Sequence, residues 1–247
     1  MAIDRLSGLD KKLSKIVSEC GQMATQLGFN AYLVGGPVRD LLLKHPKTDV
    51  DITVEGNGMR LAEKFADAHP GSKLTRYPAF KTATVELANG IMVDFATTRR
   101  ETYSKPGAFP KVVPARIKDD LFRRDLTINA MALSINPRSW GKLVDPFGGM
   151  ADLRSKKIRV LHEKSFLDDP TRILRAARFK IRLGFSLERQ TLKFLKASVK
   201  AGALDTIKPQ RYMKEFNKIL KEKKAKDTID CLKSWKAYRA PLQMKRG

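Results

Sequence analysis

The apolar run AYLV (31–34) ends in Gly35 and Gly36, and the residues that follow, PVRDLLL (37–43), read as a helix. A strand that turns straight into a helix leaves few fold classes open, because it needs a sheet for the strand and a covering layer for the helix. The spacing predicts Gly36 at the N-cap and Pro37 at the first helical position, where its missing N–H costs nothing. Backbone N–H groups exposed at such a turn, together with the helix dipole, favour an anion such as phosphate. Arg39, in the first turn, is expected to add a charge-assisted contact to that anion. A glycine pair before a helix is by itself more often only a tight turn.

The neighbouring pattern extends the sheet. VDITV (50–54), KTATVEL (81–87) and IMVDF (91–95) read as strands, interrupted by a helix over MRLAEKFADA (59–68). Leu9, Leu13, Ile16, Val17 and Met23 fall near helical spacing, so residues 1–29 read as a leading helix that Gly28 ends. The stretch YSKPGAFPKVVPARIK (103–118) holds three prolines and a glycine and reads as an irregular loop. After DPFGGM (145–150) the pattern turns helical, almost entirely so from Pro170 onward. The expected class is therefore α+β: a head of small mixed sheet and helices over residues 1–146, then an all-helical neck and partial body over 147–247.

Asp49 and Asp51 sit within the second strand. Residues i and i+2 of a strand share a face, so these carboxylates converge while Val50 and Ile52 enter the core. Like charges that close repel, and a divalent cation is the usual reason to keep them together; oxygen-only ligands suit Mg²⁺, which also binds substrate phosphates. Asp94, between Val93 and Phe95 in another apolar strand, is the natural third carboxylate. The competing reading is an exposed strand face with solvated carboxylates, and for an isolated D-x-D it would prevail. The three histidines, His45, His69 and His162, show no metal-ligand spacing.

Charge points to the partner. The 247 residues carry 49 Lys+Arg against 26 Asp+Glu, a formal +23. Basic residues thicken after Arg154, in RSKKIR, RILRAARFKIR and KEKKAK. Such an excess is the footprint of a polyanion, because lysine and arginine release counterions from phosphates. Arg172, Arg175 and Arg178 recur every three residues, with Asp169 three before them, so they lie along one drifting helix face opposite Leu174, Ala177 and Ile181. Stacked arginines repel unless an anion sits between them. No apolar run approaches the ~20 residues that span a bilayer, and MAIDRLSGLDKKLSKIV lacks the features of a signal peptide. A cytoplasmic protein with no membrane association is expected. Cys20 and Cys231, the only cysteines, exclude a disulfide scaffold and a four-cysteine zinc site. They read as small buried hydrophobes rather than nucleophiles; Trp140 and Trp235 read as packing residues, with stacking on a base or sugar as the alternative for Trp235 in LKSWKAYR.

Taken in order, GGPVRDLLL with TDVD, RRDLTINAMAL (123–133), DPFGGMADL (145–153) and DDPTRILRAARFKIRLGF (168–185) resemble four successive motifs of the class II tRNA nucleotidyltransferase and bacterial poly(A) polymerase family, in the DNA polymerase beta superfamily. QRYMKEFNKIL (210–220) is a weaker echo of the fifth. The resemblance covers roughly residues 30–220.

The resemblance implies template-independent, Mg²⁺-dependent addition of CCA, or of the terminal A alone, to a tRNA 3′ end from CTP and ATP. Poly(A) polymerase and CC-adding activities are the alternatives within the family, and a non-catalytic RNA-binding protein on a transferase fold is the alternative outside it. By motif, Gly35, Gly36 and Arg39 would hold the triphosphate, and Asp49, Asp51 and Asp94 would bind Mg²⁺ and do the chemistry. Arg124, Asp125 and Asn129 would engage the nucleotide and its ribose. Asp169, Arg172, Arg175 and Arg178 match the nucleotide-binding positions of the fourth motif. The family usually has Glu where this chain has Asp168, which makes Asp168 or Asp169 a candidate cap for the helix that Pro170 opens. The basic helical half would grip the tRNA acceptor stem. The chain is shorter than typical members, which suggests a fragment, a minimal enzyme, or a partner that supplies the rest of the grip.

Overall fold

The computed structural model describes residues 5–45 and 50–239; Asp49 lies outside the described residues. In chain order the elements are α1 (Lys11–Gln26), β1 (Asn30–Val34), α2 (Gly36–Leu42), β2 (Val50–Glu55), α3 (Gly58–Asp67), β3 (Lys73–Tyr77), β4 (Thr82–Glu86) and β5 (Met92–Thr97). There follow β6 (Arg99–Thr102), β7 (Lys111–Pro114), α4 (Ile117–Phe122), β8 (Ala132–Ser134), β9 (Leu143–Val144) and α5 (Gly149–Arg154). The chain ends with β10 (Lys157–Ile158), α6 (Ser165–Asp168), α7 (Thr171–Leu183), β11 (Ser186–Leu187), α8 (Arg189–Lys200), α9 (Pro209–Leu220) and α10 (Ala225–Ser234).

These elements form two compact units. The first takes residues up to Arg100, 112–124 and 128–150; the second takes 101–111, 125–127 and the chain from Ala151 onward. A single cut near residue 146 therefore does not describe the division. The reason is local: Gly107 donates its N–H to the Leu167 carbonyl (3.2 Å), and Asp125 is ion-paired to Arg175 (2.7 Å). Both short segments thus belong with the helices.

In the first unit a seven-stranded mixed sheet runs in the order β3-β4-β5-β2-β1-β8-β9. β2 and β5 are parallel; every other neighbouring pair is antiparallel. Strand alternation gives the sheet two faces. Val50, Ile52, Val54, Ala83, Val85, Val93 and Phe95 are all buried, on the face that α1 and α3 cover. Helix α1 offers Leu13, Ile16, Val17, Cys20 and Ala24 to this core, and α3 offers Leu61, Ala62 and Phe65. The Phe65 ring meets the Phe95 ring at 5.6 Å. Truncating a fully buried phenylalanine of this kind to alanine costs about 3–5 kcal/mol. The opposite face carries Asp51, Thr53, Thr82, Thr84, Asp94 and Ala96, and is the one that matters for function.

Several elements differ from the sequence reading. Helix α1 starts only at Lys11, because the Asp10 carboxylate accepts from the Leu13 N–H (2.9 Å) and caps it there. Strand β3 (KLTRY) was not visible in the pattern: it is an edge strand, largely solvated, with only Leu74 as an aliphatic residue. The proline-rich stretch 103–118 is not wholly irregular, since it contains β7, with Pro114 at its end, and the start of α4. A proline at a strand terminus costs no ladder bond.

The second unit is built around α7, against which α6, α9, α10 and β10 pack. Ile173, Leu174, Ala176, Ala177 and Phe179 of α7, Tyr212, Phe216 and Ile219 of α9 and Leu232 of α10 form its core. Glu188 caps α8 by accepting from the Gln190 and Thr191 N–H groups (2.9 and 2.8 Å). The parallel pair β10–β11, two residues each, interrupts the helical region.

Candidate active site

The open face of the first sheet is organised by register. Asp51 of β2 is the Cα partner of Asp94 of β5, and Asp94 is in turn the partner of Thr84 on β4. Three side chains thus stand in one row across three strands. The Thr84 hydroxyl donates to the Asp94 Oδ1 (2.5 Å), which fixes that carboxylate's rotation. Asp51, Asp94, Thr82, Thr84, Tyr77 and Arg124 line a cavity of about 340 Å³. That volume falls at the lower end of the roughly 300–1,000 Å³ range of small-molecule sites.

Two carboxylates side by side on parallel strands repel unless a cation lies between them. The donors here are all oxygen, with no soft or imidazole ligand, which is the set a hard divalent ion prefers. On the chemistry of the donors, the residues fit Mg²⁺. Asp49, two residues before Asp51, is outside the described residues, so its position relative to the pair is not part of this geometry.

Arg124 lines the same cavity as the two carboxylates, and its placement is over-determined. Asp120 of α4 is fully buried and accepts from Arg123 Nε and Nη2 (3.0 and 2.8 Å), from Arg124 Nη2 (3.1 Å) and from the Arg99 N–H (3.2 Å). Burial pushes the Asp120 carboxyl up, but Arg123 and Arg124 outweigh it and hold it below its ordinary value. The Arg124 Nε is buried with no hydrogen-bond acceptor. A charged donor left in that state carries an uncompensated desolvation cost. Gly35 makes the approach possible: its φ is +73°, and a Cβ there would sit 2.6 Å from Arg124 Nη1. Both the backbone and the neighbour demand glycine.

Two expectations about the first motif change. The residue capping α2 is Gly35, not Gly36, because the left-handed backbone falls at Gly35 and the helix starts one residue later. Arg39 does not project toward an anion. It is 3% exposed, with Nε and Nη2 on Asp40 Oδ1 (both 2.8 Å) and Nη1 on Asn129 Oδ1 (2.5 Å). Arg39 therefore ties the first motif to Asn129 of the second, and a buried guanidinium is satisfied by the carboxylate next to it.

In the second unit a polar cluster gathers at the start of α7. Asp169 is not on the helix; it is extended (φ −136°, ψ 94°), just before Pro170. Its Oδ1 accepts from the Thr171 N–H (3.1 Å), the Thr171 hydroxyl (2.6 Å) and Arg211 Nη2 (3.0 Å). It thus supplies the side-chain cap that Pro170 cannot. Arg172 is buried and donates to the Ser165 hydroxyl (2.7 Å). Burial and the Arg172 charge push the neighbouring His162 down, and burial pushes Tyr103 up, helped by Glu101, which accepts from its hydroxyl (2.8 Å). Asp168 faces His162 at 3.9 Å.

Arg175 and Arg178 lie elsewhere on α7. Arg175 holds Asp125 (2.7 Å) and Glu215 (3.6 Å), and Arg178 holds Glu222 (3.2 Å) and Glu215 (3.9 Å). The repulsion of the arginine row is therefore relieved by built-in carboxylates and needs no bound anion, which corrects the reading from spacing alone. Asp125, expected near the ribose, has one oxygen on Arg175 and the other on the Leu126 N–H (2.9 Å).

Sequence reasoning missed Asp120, Thr84, Tyr103 and Arg211. Asp120 was accessible to it: a carboxylate three and four residues before Arg123 and Arg124 on a helical stretch predicts their pairing. The other three become visible only through register or tertiary contact.

A mixed sheet that pairs two carboxylates in one cavity with an arginine, joined in sequence to a helical unit, has the architecture of a polymerase-type nucleotide-transfer head. The profile described as "Poly A polymerase head domain" matches residues 31–159, and the chain belongs to this family. A second profile, "Probable RNA and SrmB- binding site of polymerase A", matches residues 184–240. The A-adding tRNA nucleotidyltransferase of Aquifex aeolicus is 46% identical over 217 residues, 88% of this chain and 26% of that protein. The chain spans between a quarter and a half of the length of the curated relatives it matches. Among solved structures, an apo CCA-adding enzyme superposes with a TM-score of 0.89 at 41% identity, over 94% of this chain and 55% of the other. A tRNA nucleotidyltransferase complexed with a primer tRNA and an incoming ATP analog gives 0.80 at 40% identity, over 92% of this chain and 65% of the other. Among the described residues no helix is long and apolar enough to cross a membrane.

Proposed function

We propose that this chain is the nucleotide-adding portion of a tRNA nucleotidyltransferase, extending a tRNA 3′ end from CTP or ATP without a template and in a Mg²⁺-dependent way. The observation that carries this reading is the Asp51–Asp94 pair, in register on parallel strands and lining one cavity with Arg124. Addition of the terminal A is the favoured product, on the name of the Aquifex relative.

Bound Mg²⁺ at these carboxylates would supply Lewis-acid stabilisation of phosphate charge and a lowered pKa for the attacking hydroxyl. The chain's own residues do the rest. The 3′ oxygen bonds to the α-phosphorus as the bond to the departing pyrophosphate breaks, and Asp94, oriented by Thr84, takes the hydroxyl proton. Arg124, with its unpartnered Nε, stabilises triphosphate charge, and Asp120 holds it still. Arg39 and Asn129 brace the glycine turn. Asp169 and Arg172 read the base. Cytosine and adenine both present an exocyclic amino donor beside a ring-nitrogen acceptor, and uracil and guanine reverse that order, so a carboxylate with an arginine admits C and A.

The test is incorporation of labelled nucleotide into tRNA lacking its 3′ end, or ending in CC, with CTP alone, ATP alone and both. A-addition to the CC-ending tRNA is expected, and it should vanish in Asp51→Ala while tRNA binding persists. CTP incorporation alone would identify a CC-adding enzyme, and long A tracts a poly(A) polymerase. No incorporation by the parent chain, with RNA binding intact, would replace the reading by a non-catalytic one.

A further inference from the structure

The second unit contains a cavity that none of these roles uses. Arg178 and Arg182 of α7, with Glu222, Lys223, Lys224 and Thr228 at the entry to α10, line a space of about 190 Å³. This is smaller than the roughly 300 Å³ at which small-molecule sites begin, and of a size for one anionic group with its waters. Four cations meet one carboxylate there. Glu222 accepts from Arg178 Nη1 at 3.2 Å and lies 3.8 Å from Arg182; Glu215, which also reaches Arg178 (3.9 Å), is shared with Arg175 and Lys218.

Two independent features point to a ligand. The Arg178 side chain is nine-tenths buried and its Nε has no acceptor, so one edge of a charged, desolvated donor is unused. Helix α10, ten residues long, starts at Ala225 with Lys224 at its N-cap and no side-chain cap; the Ala225 N–H donates to the Glu222 carbonyl (3.2 Å) and Asp227 lies in the first turn, while Lys224 and Thr228 place this helix end on the cavity wall. Arg178 also lies six residues beyond Arg172, about 9 Å along the helix, away from the Asp169 cluster.

We propose that this cavity is a seat for one backbone phosphate of bound RNA, in place of the nucleotide contact that the arginine row suggested for Arg178. RNA is the source favoured because the matched RNA-binding segment, 184–240, includes Glu222 through Thr228. The proposal rests on the RNA-acceptor half of the reading above, not on catalysis. Lys223 and Lys224 are exposed, so replacing them leaves the fold and the Arg178–Glu222 pair in place.

The experiment measures binding of a tRNA transcript lacking its 3′ end to the parent chain, to Lys223→Ala/Lys224→Ala, and to a charge-matched control, Lys193→Ala/Lys196→Ala, on the exposed side of α8. The cavity variant should bind at least tenfold more weakly than the control, with the slope of log K against log[salt] flatter by about 0.7–0.9 for one lost phosphate. Replacing single phosphates of the acceptor stem by neutral methylphosphonates should reveal one position that weakens the parent and not the cavity variant. Equal losses in cavity and control variants would overturn the proposal, as would the absence of any such position. Binding of ATP without RNA should be unchanged; a matching loss there would assign the cavity to nucleotide triphosphate and also overturn it. Because no arm requires incorporation, a chain that binds tRNA but adds nothing would refute the catalytic reading and leave this one standing.

Discussion

Replacing Asp120 tests how Arg124 is held. The carboxylate is fully buried and takes two arginines and one backbone N–H, at 2.8–3.2 Å. Asp120→Ala removes the common counter-ion of Arg123 and Arg124, each only 19% exposed, and leaves their charges where water compensates them poorly. Breaking a buried pair from one side costs about 3–5 kcal/mol. At roughly 2–4 °C per kcal/mol for a chain of this size, the first unit's unfolding should move down by about 6–20 °C. Asp120→Asn keeps the shape and part of the hydrogen bonding, so it should fall between the two. The pH dependence has a fixed sign. A carboxyl held below its ordinary value of 3.8 in the folded state adds stability that is complete above that value and is lost as pH falls through the lower, folded-state value. The gap between parent and Asp120→Asn should therefore be constant near neutrality and close only in acid. Thermal unfolding across pH, together with the KM for ATP, measures both consequences. An Asp120→Ala chain that melts with the parent and keeps its KM would refute the claim that this carboxylate sets Arg124.

Three further outcomes are expected. Asp169→Ala or Arg172→Ala should let UTP and GTP compete with CTP and ATP, by about 1–3 kcal/mol or roughly 5–150-fold in relative incorporation; unchanged preference at a lower rate would exclude base reading by these residues. Binding of tRNA should weaken steeply with salt, as the +23 charge requires, and a nearly flat titration would remove the polyanion argument. Arg211 bridges Asp169 (3.0 Å) and the Gly107 carbonyl (2.9 Å), so Arg211→Ala should speed proteolytic cleavage within 103–111 and loosen base preference together. Loss of only one of the two would show that the bridge does not couple them.

What could be read from the sequence was what period determines. Val50, Ile52 and Val54 alternate with Asp51 and Thr53, and that alternation alone sets the carboxylate on the face opposite the core. The parallel register of β2 and β5, which puts Asp94 beside Asp51, depends on a crossover through α3, β3 and β4 that no local pattern announces. Strand β3 carries no usable alternation because an edge strand buries little, and hydrophobic pattern records burial rather than hydrogen bonding.

The fourth motif shows the same limit for charge. A three-residue repeat states that Arg172, Arg175 and Arg178 run along α7, but not what neutralises each of them. Arg172 donates to the Ser165 hydroxyl seven residues back, whereas two of the counter-ions come from residues distant in sequence: Asp125 receives Arg175 from fifty positions away, and Glu222 receives Arg178 from forty-four. Three arginines that look equivalent in the sequence therefore have three chemistries. The first lies in the cluster around Asp169, the second is consumed by the second motif, and the third pairs with Glu222 and lines the cavity beside α10. Counter-ion identity is a property of the tertiary fold, so a run of like charges constrains where its members lie and leaves their ligands to be found in the structure.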